Sequence, residues 1–239
     1  MASPQYKRIL LKLSGEALAG SKGFGVDPSI TAAIAADLKP VVDAGVQVAV
    51  VIGGGNYFRG LSGASKGVSR TVGDTIGMLA TVMNSLQVRE AFRAAGIDAI
   101  VMNAIDIREA GEYYVPENAV RHLEAGRVVI IGAGTGNPFF TTDTAAALRA
   151  AETGCDVLLK ATKVDGIYTA DPVKDPSATK IVKLTHSEAL SRGLEVMDST
   201  AFSLCMDNSI PIIVFKLLET GNLNRVVTGE PVGSLVAKG

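Results

Sequence analysis

The sequence predicts an α/β fold in which a mainly parallel β-sheet is covered by α-helices. Short runs of β-branched and aliphatic residues alternate with longer segments of helical spacing, which is the pattern of repeated strand–helix–strand units. The chain has 239 residues, of which 47% are hydrophobic and 20% charged, so it can bury a large core. Because neither a linker nor an internal repeat interrupts the alternation, we expect one continuous domain over residues 1–239.

Six short apolar segments have the composition of strands that are buried on both faces. They are residues 8–13, 46–52, 99–103, 127–132, 157–161 and 211–216. Helical spacing predicts helices between or beside them at residues 28–44, 71–95, 116–125, 142–153, 187–191 and 198–208. Residues 161–182 break this alternation, because an Asp-Gly pair and two Asp-Pro pairs favour turns. We predict a hairpin or flap there.

The charge balance and the side-chain inventory exclude several classes of function. With 23 basic and 24 acidic residues, the net charge of -1 provides no overall field for nucleic acid or a membrane surface. The N-terminal residues lack the apolar stretch of a secretion signal, and we expect a cytoplasmic protein. Cys155 and Cys205 stand apart from each other and from His122 and His186, which favours buried thiols over a disulfide or a zinc site. Both histidines are expected at the surface.

Loops of small residues follow four of the predicted strands. They contain Ser14 and Gly15, the triplet from Gly53 to Gly55, residues 132–142, and Thr162. Because parallel strands end on the same edge of a sheet, we expect all four loops on one edge, where backbone amides can bind phosphate. Glycines are also ordinary turn residues, and neither residues 15–22 nor residues 132–137 complete a P-loop or a dinucleotide fingerprint.

Two lysines occupy positions where a buried strand normally carries apolar residues. Lys12 and Lys160 each lie near the carboxyl end of an apolar strand. Each amine can reach water from a strand end, but phosphate oxygens at that edge would also supply the missing anionic partners. Asp143, early in a predicted helix, is suited to orient both amines. This inventory fits phosphoryl transfer to an acceptor that is already ionised, which needs charge neutralisation and positioning and no catalytic base.

Six stretches together resemble the bacterial UMP kinases of the amino-acid-kinase superfamily. They lie at residues 12–16, 23–25, 53–60, 74–84, 135–143 and 160–172, so the resemblance extends over nearly the whole chain. It implies a three-layer α/β sandwich of the amino-acid-kinase type, with an acceptor-binding N-terminal lobe and an ATP-binding C-terminal lobe. It also implies transfer of the γ-phosphoryl group of ATP to UMP, as a step of pyrimidine nucleotide biosynthesis.

The resemblance assigns two nucleotide sites and a catalytic set. The implied ATP site consists of Lys12, Leu13, Ser14, Gly15, Gly55, Arg59, Thr162, Tyr168 and Asp171. The implied UMP site consists of Gly54, Asp74, Thr135, Gly136, Asn137, Pro138, Phe139, Phe140, Thr141 and Thr142. The implied catalytic residues are Lys12, Arg59, Asp143 and Lys160. Asp74 is suited to accept hydrogen bonds from ribose hydroxyls, and Tyr168 to pack on adenine.

The resemblance further implies a homohexamer that GTP activates and UTP inhibits. The segment that it associates with GTP consists of Gly20, Ser21, Lys22, Gly23, Phe24 and Gly25. Mg²⁺ is expected to bind through the ATP phosphates, without direct ligands from the protein. Two other functions remain open from the residues alone. A relative could phosphorylate a carboxylate or carbamate with the same donor site, and a nucleotide sensor could bind without turnover.

Overall fold

In the computed structural model of the protein, residues 3–58, 67–172, 174–194 and 196–239 are described. The strands are β1 (Arg8–Leu13), β2 (Gln47–Ile52), β3 (Ala99–Asn103), β4 (Glu112–Tyr113), β5 (Val128–Gly132), β6 (Val157–Thr162), β7 (Ile167–Tyr168), β8 (Lys180–Ile181), β9 (Lys183–Thr185), β10 (Ile212–Lys216) and β11 (Ser234–Ala237). The α-helices are α1 (Gly15–Ala19), α2 (Pro28–Asp43), α3 (Arg70–Ala94), α4 (Pro116–Glu124), α5 (Thr142–Glu152), α6 (His186–Ser191), α7 (Ser199–Asp207) and α8 (Asn222–Val227).

A nine-stranded sheet forms the centre of the molecule. Its strand order is β4-β3-β5-β2-β1-β6-β10-β11-β9. Strands β3, β5, β2, β1, β6 and β10 are all parallel to their neighbours in this series, and β11 pairs antiparallel with β10. The prediction of a mainly parallel sheet is confirmed, and each of the six predicted strands is present with its bounds shifted by at most one residue.

Helices cover both faces of this sheet, which confirms the three-layer prediction. Alternate residues of each central strand point to opposite faces, so Leu11 packs in one core and Leu10 in the other. The first core lies under α2, α3 and α8, and the second lies under α4, α5, α6 and α7. Lys12 and Lys160 have the same strand parity as Leu10 and Leu158, so they face the layer that contains α5.

The turn-rich segment predicted at residues 161–182 contains a small hairpin. Strands β7 and β8 pair antiparallel, with Ile167 opposite Ile181 and Tyr168 opposite Lys180. Several other short elements have no counterpart in the sequence prediction, among them α1, α8, β4, β9 and β11. The start of α8 is capped across space by Asp37, whose carboxylate accepts the N–H of Gly221 at 2.7 Å and that of Leu223 at 3.2 Å. Such a cap has no local sequence signal.

Both cysteines match their prediction, whereas one histidine does not. Cys155 and Cys205 are buried free thiols, and burial raises the pKa of Cys155 to about 11 and that of Cys205 to about 12. The prediction that His186 lies at the surface is wrong: it is 2% exposed, and its Nε2 lies 3.0 Å from the carbonyl oxygen of Ile210. As the first residue of α6, it turns inward against the loop that precedes β10. Within the described ranges, no helix is long and apolar enough to cross a membrane.

Candidate active site

The four loops of small residues lie along one edge of the sheet, as their positions after parallel strands predict. Strands β5, β2, β1 and β6 are consecutive neighbours, and all four point the same way. Their carboxyl ends are followed by the loops that begin at Ala133, Gly53, Ser14 and Lys163. This is the edge where open parallel sheets bind ligands, because amide groups and helix N-termini face outward there.

Lys12 and Lys160 are neighbours on this edge, and one aspartate joins them. Their Cα atoms are paired in the β1–β6 register, so both side chains leave the same face of the sheet. The Nζ of Lys12 lies 2.9 Å from Oδ1 of Asp143, and that of Lys160 lies 2.7 Å from Oδ2. The amine of Lys160 also donates to the carbonyl oxygen of Val196. We call these three residues the lysine–aspartate cluster.

The lysine–aspartate cluster holds one positive charge in excess within a nearly buried site. The side chains of Lys12, Lys160 and Asp143 are 10%, 11% and 17% exposed, respectively. Burial opposes the charged form of Asp143, but the adjacent ammonium groups outweigh burial and hold the pKa of that carboxyl below its ordinary value. Burial lowers the pKa of Lys160, and the charge of Asp143 acts in the opposite direction. An anion that reaches this edge would therefore meet a cation that is already desolvated.

Asp143 is fixed by the start of α5. Thr141 caps this helix, and its Oγ1 accepts the N–H of Asp143 at 3.1 Å and that of Thr144 at 3.2 Å. A carboxylate in the first turn also interacts favourably with the helix dipole. Asp198, which the sequence analysis did not select, accepts hydrogen bonds from the hydroxyls of Thr141 and Thr144 and joins this helix start to α7.

The glycines after β1 and β2 allow the two loops to pack directly against each other. A Cβ atom on Gly15 would lie 2.4 Å from Oδ1 of Asn56 and 2.6 Å from the carbonyl oxygen of Gly53. A Cβ atom on Gly54 would lie 2.6 Å from the carbonyl oxygen of Gly77 in α3. These contacts are shorter than any side chain tolerates, so glycine is needed at both positions for close approach of the backbone.

A reciprocal pair of buried amides anchors the glycine triplet. The Nδ2 of Asn56 donates to Oδ1 of Asn84 at 2.9 Å, and the Nδ2 of Asn84 donates to Oδ1 of Asn56 at 2.7 Å. Asn84 also donates to the carbonyl oxygen of Gly53 at 2.7 Å, and Asn56 to that of Gly25 at 2.6 Å. The triplet is therefore joined both to α3 and to the segment of residues 20–25.

Replacing Gly54 with alanine is expected to lower stability by about 2 kcal/mol, because the new methyl group would overpack against α3. Besides the carbonyl of Gly77, it would lie 2.9 Å from the Cβ of Ala80. Gly55→Ala is the matched control, since a Cβ atom there would meet Glu16 at an ordinary 3.4 Å. Thermal unfolding of both variants measures the difference. Equal melting temperatures would contradict the inferred close contact.

A cavity of about 510 Å³ lies between α3 and the loop that precedes α5. Most of the residues that the resemblance assigns to UMP line it, namely Gly54, Asp74, Thr135, Asn137, Phe140, Thr141 and Thr142. A hydrogen bond joins the two walls, because the N–H of Phe139 donates to Oδ2 of Asp74 in α3 at 2.8 Å. Within α3, Nε of Arg70 donates to the same oxygen at 2.8 Å. Phe139 itself is 63% exposed, with Arg70 over its ring.

Residues 133–136 have an unusual backbone, and we call them the acceptor loop because the resemblance assigns Thr135 and Gly136 to the acceptor. Ala133 is fully buried and has a φ of 62°, while Gly134 and Gly136 have φ values of 57° and 80°. A non-glycine residue in this left-handed region costs about 1 kcal/mol or more and persists only where its surroundings fix it. The N–H of Ala133 donates to Oγ1 of Thr81 at 2.7 Å, which fixes the loop from the side of α3.

A second cavity, of about 610 Å³, lies beside the lysine–aspartate cluster. Lys160, Thr162, Tyr168 and Asp171 are among the residues that line it. The hydroxyl of Tyr168 donates to Oδ1 of Asp165 at 2.6 Å, and Lys180 donates to Oδ2 at 2.9 Å. The bond from Tyr168 and then that from Lys180 hold the pKa of Asp165 below its usual range. These bonds fix the orientation of the Tyr168 ring.

Two further groups of residues selected from the sequence are Arg59 and the segment of residues 20–25. Arg59, assigned to catalysis and to ATP, lies outside the described residues. The segment of residues 20–25 borders the glycine triplet: Gly25 is hydrogen-bonded to Asn56, and Phe24 packs edge-on against Tyr57 with 5.4 Å between ring centroids. Phe24 is nevertheless 67% exposed.

Fold and site together define an α/β protein whose mainly parallel sheet carries a buried lysine–aspartate cluster and loops of small residues at its carboxyl edge. Residues 7–216 match the family model described as the amino acid kinase family. The chain belongs to that family.

Solved structures that are similar over nearly the whole chain include three kinases. A UMP kinase from Bacillus anthracis is 39% identical with a TM-score of 0.93, over 97% of this chain and 96% of that chain. A UMP kinase from Ureaplasma parvum is 32% identical with a TM-score of 0.91, over 98% and 100%. A uridylate kinase from Archaeoglobus fulgidus is 31% identical with a TM-score of 0.73, over 96% and 99%. The family resemblance stated from the sequence is confirmed.

Proposed function

We propose that the protein is a UMP kinase, which transfers the γ-phosphoryl group of ATP to UMP and forms UDP and ADP. The observation that carries this proposal is the position of the lysine–aspartate cluster between two cavities. Lys160 lines one cavity, and Thr142, which directly precedes Asp143, lines the other. Two nucleotides with their phosphates facing each other would meet at this cation. The similarity to three solved UMP or uridylate kinases supports the same assignment.

The proposed transfer is an in-line displacement that depends on positioning and charge. The 5′-phosphate of the acceptor is already ionised near neutral pH, so it needs no general base. Lys12, Lys160 and Arg59 neutralise charge that develops on the transferred group, and Asp143 holds the two lysines in place. Backbone N–H groups of the loops after β1, β2 and β5 hold the phosphates on either side. Water is excluded where the two nucleotides fill both cavities.

We propose that Mg²⁺ enters with ATP and is held through its phosphates, where it neutralises their charge. Asp143 is engaged by two ammonium groups, so its chemistry does not suit a cation ligand. The ranges that the structure describes contain no group of three or more His, Cys, Asp or Glu residues that could hold a metal ion.

The two cavities support a division of the single domain into an acceptor half and a donor half. UMP would occupy the cavity beside α3, with Asp74 accepting hydrogen bonds from the ribose hydroxyls. ATP would occupy the cavity of the C-terminal half, with the ring of Tyr168 against adenine and Asp171 at its rim. Residues 12–15 would contact its phosphates, and so would Gly55, which lines the cavity assigned to UMP.

We also propose that the protein forms homohexamers, with GTP as activator and UTP as inhibitor. Apolar side chains on α3 support an interface between subunits, since Val72, Leu79 and Met83 are 51%, 44% and 45% exposed. The hydrogen bonds of Asn56 to Gly25 support a role of residues 20–25 in activation, because they join that segment to the glycine triplet.

A coupled assay of ADP release tests the function with four acceptors: UMP, CMP, acetate and carbamate. We expect kcat/KM for UMP to exceed that for acetate and carbamate by at least about 100-fold, because its uracil and ribose fill a preformed cavity, and the ratio of UMP to CMP measures the selectivity for the base. Preference for a carboxylate or carbamate would overturn the proposal in favour of a relative with another acceptor. ATP and UMP binding without ADP release would indicate a nucleotide sensor.

A further inference from the structure

A buried cation lies behind the acceptor loop, outside the lysine–aspartate cluster. Arg149 projects from α5 and is only 4% exposed. Its Nη1 donates to Oε2 of Glu152 at 2.6 Å, and its guanidinium carbon lies 4.2 Å from the centroid of the Tyr114 ring. The hydroxyl of Tyr114 donates to the same oxygen of Glu152 at 2.8 Å. The three side chains form a network in which the charges of arginine and glutamate cancel.

Stability alone gives a weak reason for such a network. Burying a guanidinium and a carboxylate carries a desolvation cost that their attraction often only balances, and apolar replacements of similar volume are frequently as stable. Arg149 also interrupts a run of alanines that packs α5 on the sheet, where an apolar side chain would fill the same space. The reason that an arginine is buried at this position therefore lies in its other hydrogen-bond partner.

The guanidinium makes one further contact, which reaches the acceptor loop. Its Nη2 donates to the carbonyl oxygen of Gly134 at 3.0 Å. Thr81 holds the adjacent N–H of Ala133, and the hydroxyl of Thr81 donates in turn to the carbonyl oxygen of Met78 at 2.7 Å. The strained turn at Ala133 and Gly134 is therefore held from α3 on one side and from α5 on the other. Thr135, the next residue, lines the acceptor cavity.

We propose that Arg149 is a positioning residue, which holds the acceptor loop in the shape that receives UMP without touching the nucleotide itself. The proposal rests on the proposed function, because it takes UMP as the occupant of the cavity. A planar guanidinium suits this task, since it can bond Glu152 and Gly134 at the same time in a fixed geometry. Helix α5 thus places Asp143 with its first turn and the acceptor loop with its last.

Two substitutions separate positioning from folding. Arg149→Lys keeps a cation for Glu152, but a single amine cannot also occupy the position of Nη2 at Gly134. Arg149→Met keeps an unbranched apolar stem, which is shorter than the arginine side chain, and loses both bonds. For both variants we expect KM for UMP to rise about tenfold, because small displacements of binding groups have large effects on productive binding. KM for ATP is expected to stay within twofold of the unmodified protein.

Arg8→Met is the matched control. Arg8 also joins distant parts of the chain, with Nε donating to Gln47 at 2.6 Å and Nη1 to the carbonyl oxygen of Thr153 at 2.5 Å. It lies at the amino end of β1, on the opposite edge of the sheet from the acceptor loop. We expect this variant to lower the melting temperature and to leave KM for UMP within twofold.

Steady-state kinetics with each substrate varied, together with calorimetric titration of UMP, measure these effects. An unchanged KM and Kd for UMP in Arg149→Lys and Arg149→Met would overturn the proposal. Equal rises in both KM values, or an equal rise in Arg8→Met, would also overturn it, since they indicate a general loss of structure. If the unmodified protein binds UMP without phosphorylating it, the proposed function fails, and Arg149 is then judged by Kd for UMP alone.

Discussion

Lys12→Ala is expected to reduce kcat by about 1,000-fold, because the variant loses a cation that faces the transferred phosphoryl group. Lys12 is a better choice for this test than Asp143, because removal of Lys12 leaves the bond between Lys160 and Asp143 in place. The fold should therefore persist, and the loss should appear mainly in kcat. Steady-state kinetics with saturating UMP and Mg²⁺–ATP measure the effect, and circular dichroism checks the fold.

Lys39→Ala provides the comparison for Lys12. Lys39 also pairs with an aspartate, at 2.5 Å from Asp43, but on the exposed side of α2 and away from the edge that carries the loops. Exposed pairs of this kind contribute little, about 0.5 kcal/mol or less. We expect unchanged turnover in this variant. Near-normal turnover of Lys12→Ala would show that the lysine–aspartate cluster is not the site of transfer.

Asp143→Asn is expected to lower both activity and stability. Two nearly buried ammonium groups would lose the carboxylate between them, which costs about 3 kcal/mol when one partner of a buried ion pair is removed. Without that carboxylate the lysines also lose their orientation, and we expect kcat to fall about 100-fold. Thermal unfolding and steady-state kinetics at neutral pH measure the two effects. Asp43→Asn, which affects the exposed pair with Lys39, is expected to change neither.

The pH dependence of stability gives an independent check on Asp143. Its pKa in the folded protein lies below the ordinary value of 3.8, so its stabilising contribution is fully present above that value. The contribution is lost as the pH falls through the lower folded pKa. The difference in stability between the unmodified protein and Asp143→Asn should therefore shrink as the pH falls below 3.8. A difference that stays constant from neutral pH to pH about 2 would rule out an ionised Asp143 in this role.

The central sheet was predictable because its strands are buried on both faces. Continuous apolar runs such as that of β2 distinguish such strands from helices, and turn residues mark their ends. Several short elements could not be predicted from the local sequence, for a physical reason. Helix α8 depends on a cap from Asp37, which is remote in sequence, and β11 depends on pairing with β10 and β9. The local sequence carries no sign of either.

The candidate site was predictable where a charged residue stands in an apolar segment of the sequence. Lys12 and Lys160 stand out because ammonium groups are rare in buried strands, and Asp143 stands out at a helix start. The amide pair of Asn56 and Asn84 and the bond from Arg149 to Gly134 were not predicted, because both join residues that are far apart in sequence. One signal was present for Arg149, namely a lone charge in the alanine run of residues 145–151.

The order of strands also bears on how the protein is made. In the chain, β1 is followed closely by its neighbour β2, whereas its other neighbour, β6, comes only at residues 157–162. Lys160, the register partner of Lys12, is therefore synthesised only after about two thirds of the chain. A fragment that ends before residue 157 therefore lacks both Asp143's second partner, Lys160, and the strand beside β1, so the complete lysine–aspartate cluster depends on a long-range pairing of the kind that slows folding.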